Sequence, residues 1–256
     1  MLDRFSERMS SRSAALLLTI DNRLDTILKY WLWTAGLASI ARIALAPHTP
    51  SMANFSTFGS YMLLVVAPFA STLLALRWFS DAHLQPQPTT RLARVGRWRA
   101  LSRGEAERHP LYGTSGIMVS LLVGMMLNVP VRAVEYLAAT PPIPLDAPRW
   151  LSVLHVAMTA DVVVFSSLYM IAFVAALRRA PLFPRLLVAI WMGDLTMQLV
   201  TAQMVSSTHV PAPVAAALQA VLEGNVKKVL ISMALWLPYL LLSTRVNVTY
   251  RQRVPA

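Results

Sequence analysis

Residues Lys227 to Tyr250 read KKVLISMALWLPYLLLSTRVNVTY. After its two lysines the stretch has no formal charge until Arg245, and no polar stripe recurs every three to four residues. A helix at a protein–water boundary shows such a stripe. This one reads instead as a span through hydrocarbon, and the other apolar runs follow the same reading. Pro238 removes a backbone donor and meets the carbonyl of Ala234, so a kink is expected there. The polar exit Ser243-Thr-Arg245 places a cation where a helix C-terminus meets headgroups.

Composition agrees. Of 256 residues 56% are hydrophobic and only 14% charged, against roughly 25% charged in an average soluble domain. The net charge of +11 raises the question of nucleic acid. The arginines sit in short segments between apolar runs, however, which is the pattern of membrane loops and excludes nucleic acid as the partner. The chain has no cysteine, which removes disulfides, thiolate nucleophiles and thiolate metal sites. Its five histidines have no metal-ligand spacing, so neither a metal nor another cofactor is implied. The N-terminal apolar run Ala14 to Ile20 ends at Asp21 with no small-x-small site after it, so it is not read as a cleaved leader. Leu2, Phe5 and Met9 among Arg4, Arg8 and Arg12 suggest a basic interfacial helix, with a disordered tail as the alternative.

About 20 apolar residues cross the hydrocarbon. Six segments qualify: Leu28 to Ala46, Gly59 to Phe79, Gly113 to Leu137, Trp150 to Leu177, Leu186 to Ser206 and Leu222 to Ser243. Residues Ala212 to Val221 read as a surface lead-in to the last. Most of the 23 lysines and arginines fall before the first segment, between the second and third, between the fourth and fifth, and after the sixth; the opposite loops hold only Arg149. The expected fold is therefore all-α and polytopic, with six transmembrane helices and both termini cytoplasmic. In the long inner loop, Arg91, Arg94, Arg97 and Arg99 flank an apolar face, which suits anionic lipid at the inner leaflet. Pro68 and Pro238 lie in non-corresponding spans, so no inverted repeat is read.

Three stretches carry a resemblance. They are Pro110-Leu-Tyr-Gly-Thr-Ser-Gly116, Arg178-Arg-Ala-Pro-Leu-Phe-Pro184, and Trp236-Leu-Pro-Tyr-Leu-Leu-Leu-Ser-Thr-Arg-Val-Asn-Val-Thr-Tyr250. The last is similar to the closing pattern W-[IL]-P-Y-x-x-x-S-x-R-V-x-x-T-[FY] of bacterial inner-membrane proteins called domain of unknown function 2569. The resemblance covers residues 110–253. It implies a multi-pass protein of the bacterial inner (cytoplasmic) membrane and supplies no activity or catalytic residue. The chain then divides into a basic N-terminal segment 1–27, a two-helix unit 28–79, a basic cytoplasmic loop 80–110 and a four-helix membrane domain 111–253.

Ionisable residues inside spans are the natural functional candidates, since a mid-membrane charge costs roughly 2.5 kcal/mol or more. Asp194, Gln198 and Thr201 share one face of the fifth segment, beside Trp191. Asp161 lies in the fourth segment on an apolar face and needs a cation from another helix; Arg132, Lys227 and Lys228 are the candidates. Gly116, Ser120, Gly124 and Asn128 recur every four residues, a face for close helix packing, and Arg132 continues the line with Glu135 beyond it. Arg42, Arg132 and His155 bring positive charge toward the outer ends; such side chains either snorkel to the surface or line a vestibule that attracts anions, for which the guanidiniums of Arg42 and Arg132 are the better suited.

Three functions remain open. One is translocation or binding of a small solute, ion or lipid through intramembrane carboxylates. Another is a non-catalytic accessory or scaffold role with a membrane-protein partner or a second copy. The third, a lipid-modifying enzyme, lacks any clustered acid–base or metal set.

Overall fold

The computed structural model describes residues 2–46, 55–90, 92–93, 95–144, 146–208 and 210–256, with the backbone alone at 2–10 and 55–57. Arg91 and Arg94 of the inner-loop face, and the side chains of Leu2, Arg4, Phe5, Arg8 and Met9, lie outside the described residues.

The chain is helical almost throughout. In order come α1 (Leu2–Asn22), α2 (Leu24–Ala44), α3 (Phe55–Trp78), a 3-10 turn (Ala82–Leu84), β1 (Trp98–Ala100), α4 (Arg103–Arg108), α5 (Ile117–Ala139), α6 (Arg149–Leu177), α7 (Phe183–Ser206), α8 (Ala212–Leu242), α9 (Thr244–Arg251) and β2 (Arg253–Pro255). Among the described residues five helices are long and apolar enough to cross a membrane: Phe58–Trp78 of α3, and α5, α6, α7 and α8. The protein is a helical membrane protein. α2 falls outside that set because Asp25, Lys29 and Arg42 charge both its ends, leaving only 30–41 uncharged. α8 begins ten residues earlier than the apolar run suggests, at Ala212 rather than Leu222. Its 31 residues rise about 46 Å, well beyond a hydrocarbon layer of about 30 Å.

α6 is the axis of the bundle. It packs against α3, α5 and α7; α8 lies outside on α7, and α2 lies against α3 and α5. Burial along α6 reflects this: Ala172, Phe173, Val174, Ala175 and Ala176 are all fully buried, and small residues there let neighbouring helices close in. Outward faces carry Trp33, Ile40, Leu199, Ile231 and Leu235, all more than 60% exposed. In water such patches would aggregate; in lipid they meet their solvent. Pro68 within α3 leaves the carbonyl of Leu64 without its helical donor. One residue on, the Trp31 indole of α2 donates to the carbonyl of Val65 at 2.9 Å, pinning α2 at this irregular turn.

At the arginine-rich end the connections fold into a cap. α9, short and almost wholly buried, turns back under the bundle, and β2 pairs antiparallel with β1. Ser102 begins α4 with a reciprocal capping box to Glu105, whose carboxyl is held below the usual carboxylate range by the Ser102 hydrogen bonds. The three stretches that carry the family resemblance meet here. The backbone N–H of Gly113 donates to Thr249 Oγ1 at 2.9 Å, and that glycine's φ of +104° suits no side chain well. The Arg179 guanidinium lies over the Tyr112 ring, 5.3 Å from its centroid. The Tyr250 phenol donates to the carbonyl of Ala176 at 2.8 Å, and its ring sits 5.0 Å from that of Phe183.

α6 ends at Arg178 and Arg179 in a Schellman motif. Ala180 N–H bonds to Ala175 and Arg179 N–H to Ala176, with Arg179 at φ +56°. A non-glycine residue in this conformation costs on the order of 1 kcal/mol; the contact with Tyr112 works against that cost. α1 is tied to the same end: Ser13 Oγ accepts from Gly116 N–H at 2.7 Å, and Asp21 pairs with Arg178 at 3.2 Å.

Candidate functional site

Near the midpoint of the bundle one guanidinium bridges two carboxylates on different helices. Arg132 of α5 points its Nη1 at Asp161 Oδ2 of α6, 3.0 Å away. Its Nη2 bonds Asp194 Oδ2 of α7, and its Nε donates to Asn128 Oδ1 at 2.9 Å, one turn back on its own helix. The spacing of four residues that aligns Asn128 with Arg132 is a helical one, so α5 itself holds the guanidinium. Gln198, one turn beyond Asp194 on α7, donates from Nε2 to Asp161 Oδ1 at 3.0 Å and to Asp194 Oδ1 at 3.4 Å. Asn225 of α8 donates to Gln198 Oε1 at 3.4 Å. Tyr169 donates to Asp194 Oδ2 at 3.3 Å. The rings of Phe165 and Tyr169 flank the guanidinium carbon at 5.4 Å and 5.7 Å, a geometry that stabilises a cation.

Burial makes these contacts matter. Asp194 is fully buried, Gln198 is 3% and Asp161 8% exposed. An isolated charge at such depth is costly; a bridged and hydrogen-bonded one is tolerated. The face predicted on α7 is the one used: Trp191, Asp194, Gln198, Thr201 and Val205 are all buried. The cation for Asp161 is Arg132. Lys228 instead bonds Glu135, and Lys227 lies 3.7 Å from Glu223, both at the exposed surface.

A cleft of about 310 Å³ opens between α5, α6 and α8. Arg132, Asp161 and Asn225 line it, as do Glu135 and Lys228. Asp194 lies behind them, out of reach of solvent. A larger groove of about 850 Å³ runs between α7 and α8, with Gln198 among its lining residues.

Other expected residues lie elsewhere. Arg42 donates from Nε to the carbonyl of Leu137 at 2.8 Å, beside the site and not in it. His155 is buried against Tyr136, ring centroids 6.4 Å apart, and belongs to a second polar group in which Tyr136 bonds Thr159 at 2.7 Å. Ser120 and Gly124 are exposed, and among the described residues nothing outside the local backbone lies within 4 Å of a Cβ built at Gly116 or Gly124, so the described residues leave this small-residue face uncovered. Arg97 and Arg99 are exposed on and beside β1. Asn225 and Tyr169 were not singled out in the sequence. Asn225 stands between Glu223 and Lys227 and reads as part of a charged helix end; Tyr169 is one aromatic among many on α6. Among the described residues no three His, Asp or Glu side chains converge as metal ligands.

No protein-family model matches the chain, and no curated protein or solved structure matches it.

Proposed function

We propose that this is a six-span protein of the bacterial inner membrane, related to domain of unknown function 2569, that binds and moves a small anionic solute together with a proton. α2 serves as the sixth span, both termini are cytoplasmic, and the cluster around Arg132 is the binding site. The observation that carries the reading is the bridging of one guanidinium between Asp161, which borders a cleft, and Asp194, which is sealed. With both carboxylates ionised the trio bears one net negative charge; one added proton makes it neutral. In a low-dielectric interior that difference is large. A proton taken up by Asp161 weakens its hold on Arg132. The guanidinium then offers its fork to a carboxylate or phosphate arriving through the cleft. Asp194, Asn128 and the two rings keep Arg132 in place during the exchange.

The test is flux in proteoliposomes with a pH dye trapped inside, using small carboxylates and inorganic phosphate as probe solutes. The parent is expected to show solute-dependent proton uptake. Asp161→Asn should reduce it at least tenfold, and the double variant with Asp194→Asn should abolish it. No uptake by the parent, or uptake unchanged in the variants, would overturn the proposal.

The uncovered Ser120–Gly124 face supports a second reading, in which the protein packs against another membrane protein or a second copy. α8 adds to it, with only 11% of its apolar window buried. Because the chain lacks cysteine, single-cysteine variants report cleanly. Ser120→Cys should cross-link to a dimer under mild oxidation if a second copy covers this face, and a wholly monomeric product removes the homodimer. Asp146→Cys in the same series should react with an impermeant maleimide from the periplasmic side; labelling only from the cytoplasm would invert the orientation.

A further inference from the structure

Gln198 of α7 and Asn225 of α8 form a chain of two side-chain amides that starts at Asp161 and ends at the cleft beside Arg132. The carboxylates dictate how these amides are turned. A carboxylate only accepts, so Gln198 presents its Nε2 to Asp161 Oδ1 at 3.0 Å and to Asp194 Oδ1 at 3.4 Å. That leaves Oε1 to accept from Asn225 Nδ2 at 3.4 Å. With Nδ2 engaged by Gln198, the other arm of the Asn225 amide is its oxygen, and Asn225 lines the cleft with Arg132 and Asp161. An arriving anion meets an acceptor on that arm and is repelled by it.

A proton on Asp161 reverses every sign along the chain. Oδ2 faces the Arg132 guanidinium, so the proton settles on Oδ1, the oxygen turned to Gln198. Two donors then confront each other where Gln198 is 3% exposed, and buried donors without acceptors are costly. A half-turn of the Gln198 amide about its last torsion, a broad two-fold rotor, resolves the conflict. Oε1 now accepts from Asp161, and Nε2 points at Asn225. Asn225 makes the same half-turn, accepts through Oδ1 and swings Nδ2 toward the cleft. Asp194 gives up its longer amide bond and keeps Arg132 and Tyr169.

The charged and titratable groups around Asp161 are Arg132 and Glu135 of α5, Tyr169 of its own helix, Asp194 of α7 and Lys228 of α8. Glu135 and Lys228 hold each other at the exposed surface. Tyr61 of α3 donates to the carbonyl of Thr140 at 3.0 Å. Among the described residues only the two aspartates hydrogen-bond the amide pair. We propose that Asn225 is a binding residue for the anion and that Gln198 sets its orientation. The cleft then offers an amide donor beside the guanidinium only while Asp161 carries a proton, so the anion is admitted with its proton and refused without it. This rests on the transport reading above and adds the device that couples its two substrates.

The test is anion binding by the full chain in detergent, at low and at high pH. Trifluoroacetate is the probe, since its charge is constant across the range, and fluorine NMR reads the bound fraction. The parent should bind more tightly at low pH. Asn225→Leu should weaken low-pH binding about tenfold, as expected for losing one hydrogen bond to an ionised group. High-pH binding should be unchanged or tighter, because the group lost there is an acceptor. Asn225→Gln keeps an amide on α8 and should restore most of the contrast. An Asn225 that only supports the fold would weaken binding equally at both pH values. That result, or a parent-like contrast in Asn225→Leu, overturns the proposal and leaves the transport reading standing. A parent that binds no probe at either pH removes both. Should Asn225→Leu unfold, infrared difference spectra of the parent between the two pH values decide. The protonated carboxyl band that Asp161→Asn removes must appear together with shifted side-chain amide carbonyl bands, and a carboxyl band alone overturns the proposal.

Discussion

Replacing Arg132 with Met is expected to cost about 3–5 kcal/mol of stability, the largest effect of any single change in the membrane core. The substitution keeps an unbranched apolar stem and removes the guanidinium with its charge. It leaves Asp161 and Asp194, 8% and 0% exposed, facing each other with only Gln198 and Tyr169 as donors. Taking the cation from a buried bridge costs more than the bridge is worth, because the remaining charges have no water to turn to. The companion variant makes the argument sharp. In Arg132→Met with Asp161→Asn and Asp194→Asn no charge remains, and much of the lost stability should return. Strong non-additivity of this kind marks residues acting as one unit. Reversible unfolding in mixed micelles reads both variants. If the single change costs under about 1 kcal/mol, or the triple is no better than the single, the bridge is not what holds α5, α6 and α7 together. Both variants should be inactive in flux.

Tyr250→Ala should cost roughly 3–5 kcal/mol, and the loss should fall on the cap. The side chain is 1% exposed, packs on Phe183 and bonds the last turn of α6 through Ala176. Burial also holds its phenol well above the ordinary pKa, so it stays a donor at any physiological pH. Removing it opens a cavity under α9 and unties residues 244–255 from the bundle. Trypsin cleavage at Arg97 and Arg99 should quicken, and amide exchange in α9 should rise by at least tenfold. The Arg132 cluster, a bundle's half-length away, should keep its stability profile. Tyr250→Phe separates the two contributions: it keeps the ring and should lose about 1 kcal/mol, since Ala176 still accepts from Arg179. Cap exchange unchanged in Tyr250→Ala would show that α9 is held by other contacts.

The long apolar runs of α3, α5, α6, α7 and α8 were legible because a span leaves a signal longer than any local ambiguity. The α7 face of Asp194, Gln198 and Thr201 was legible because helical spacing alone puts them together. Which cation meets Asp161 was not. Periodicity gives a residue's direction on its own helix, but not which helix stands opposite, and Arg132, Lys227 and Lys228 were equivalent on that measure. The cap left still less trace. β1 and β2 have three residues each, too few for an alternation pattern, and they pair across most of the chain's C-terminal two thirds. α9 is polar in composition yet buried, so burial there follows from fit and hydrogen bonding and not from hydrophobicity. The start of α8 was obscured by its own composition: the alanines from Ala212 onward favour helix without marking a membrane boundary.

The pairing of β1 with β2 also sets an order in time. The loop that holds Trp98 to Ala100 leaves the ribosome long before Arg253 to Pro255, and four further spans must be threaded in between. Gly113 waits for Thr249 and Gln87 for Tyr250. The cap therefore closes only after the last helix is in place, and until then the arginine-rich loop stands open on the membrane surface. A chain halted early would present that loop unfolded to proteases, which makes closure of the cap a built-in mark of finished insertion.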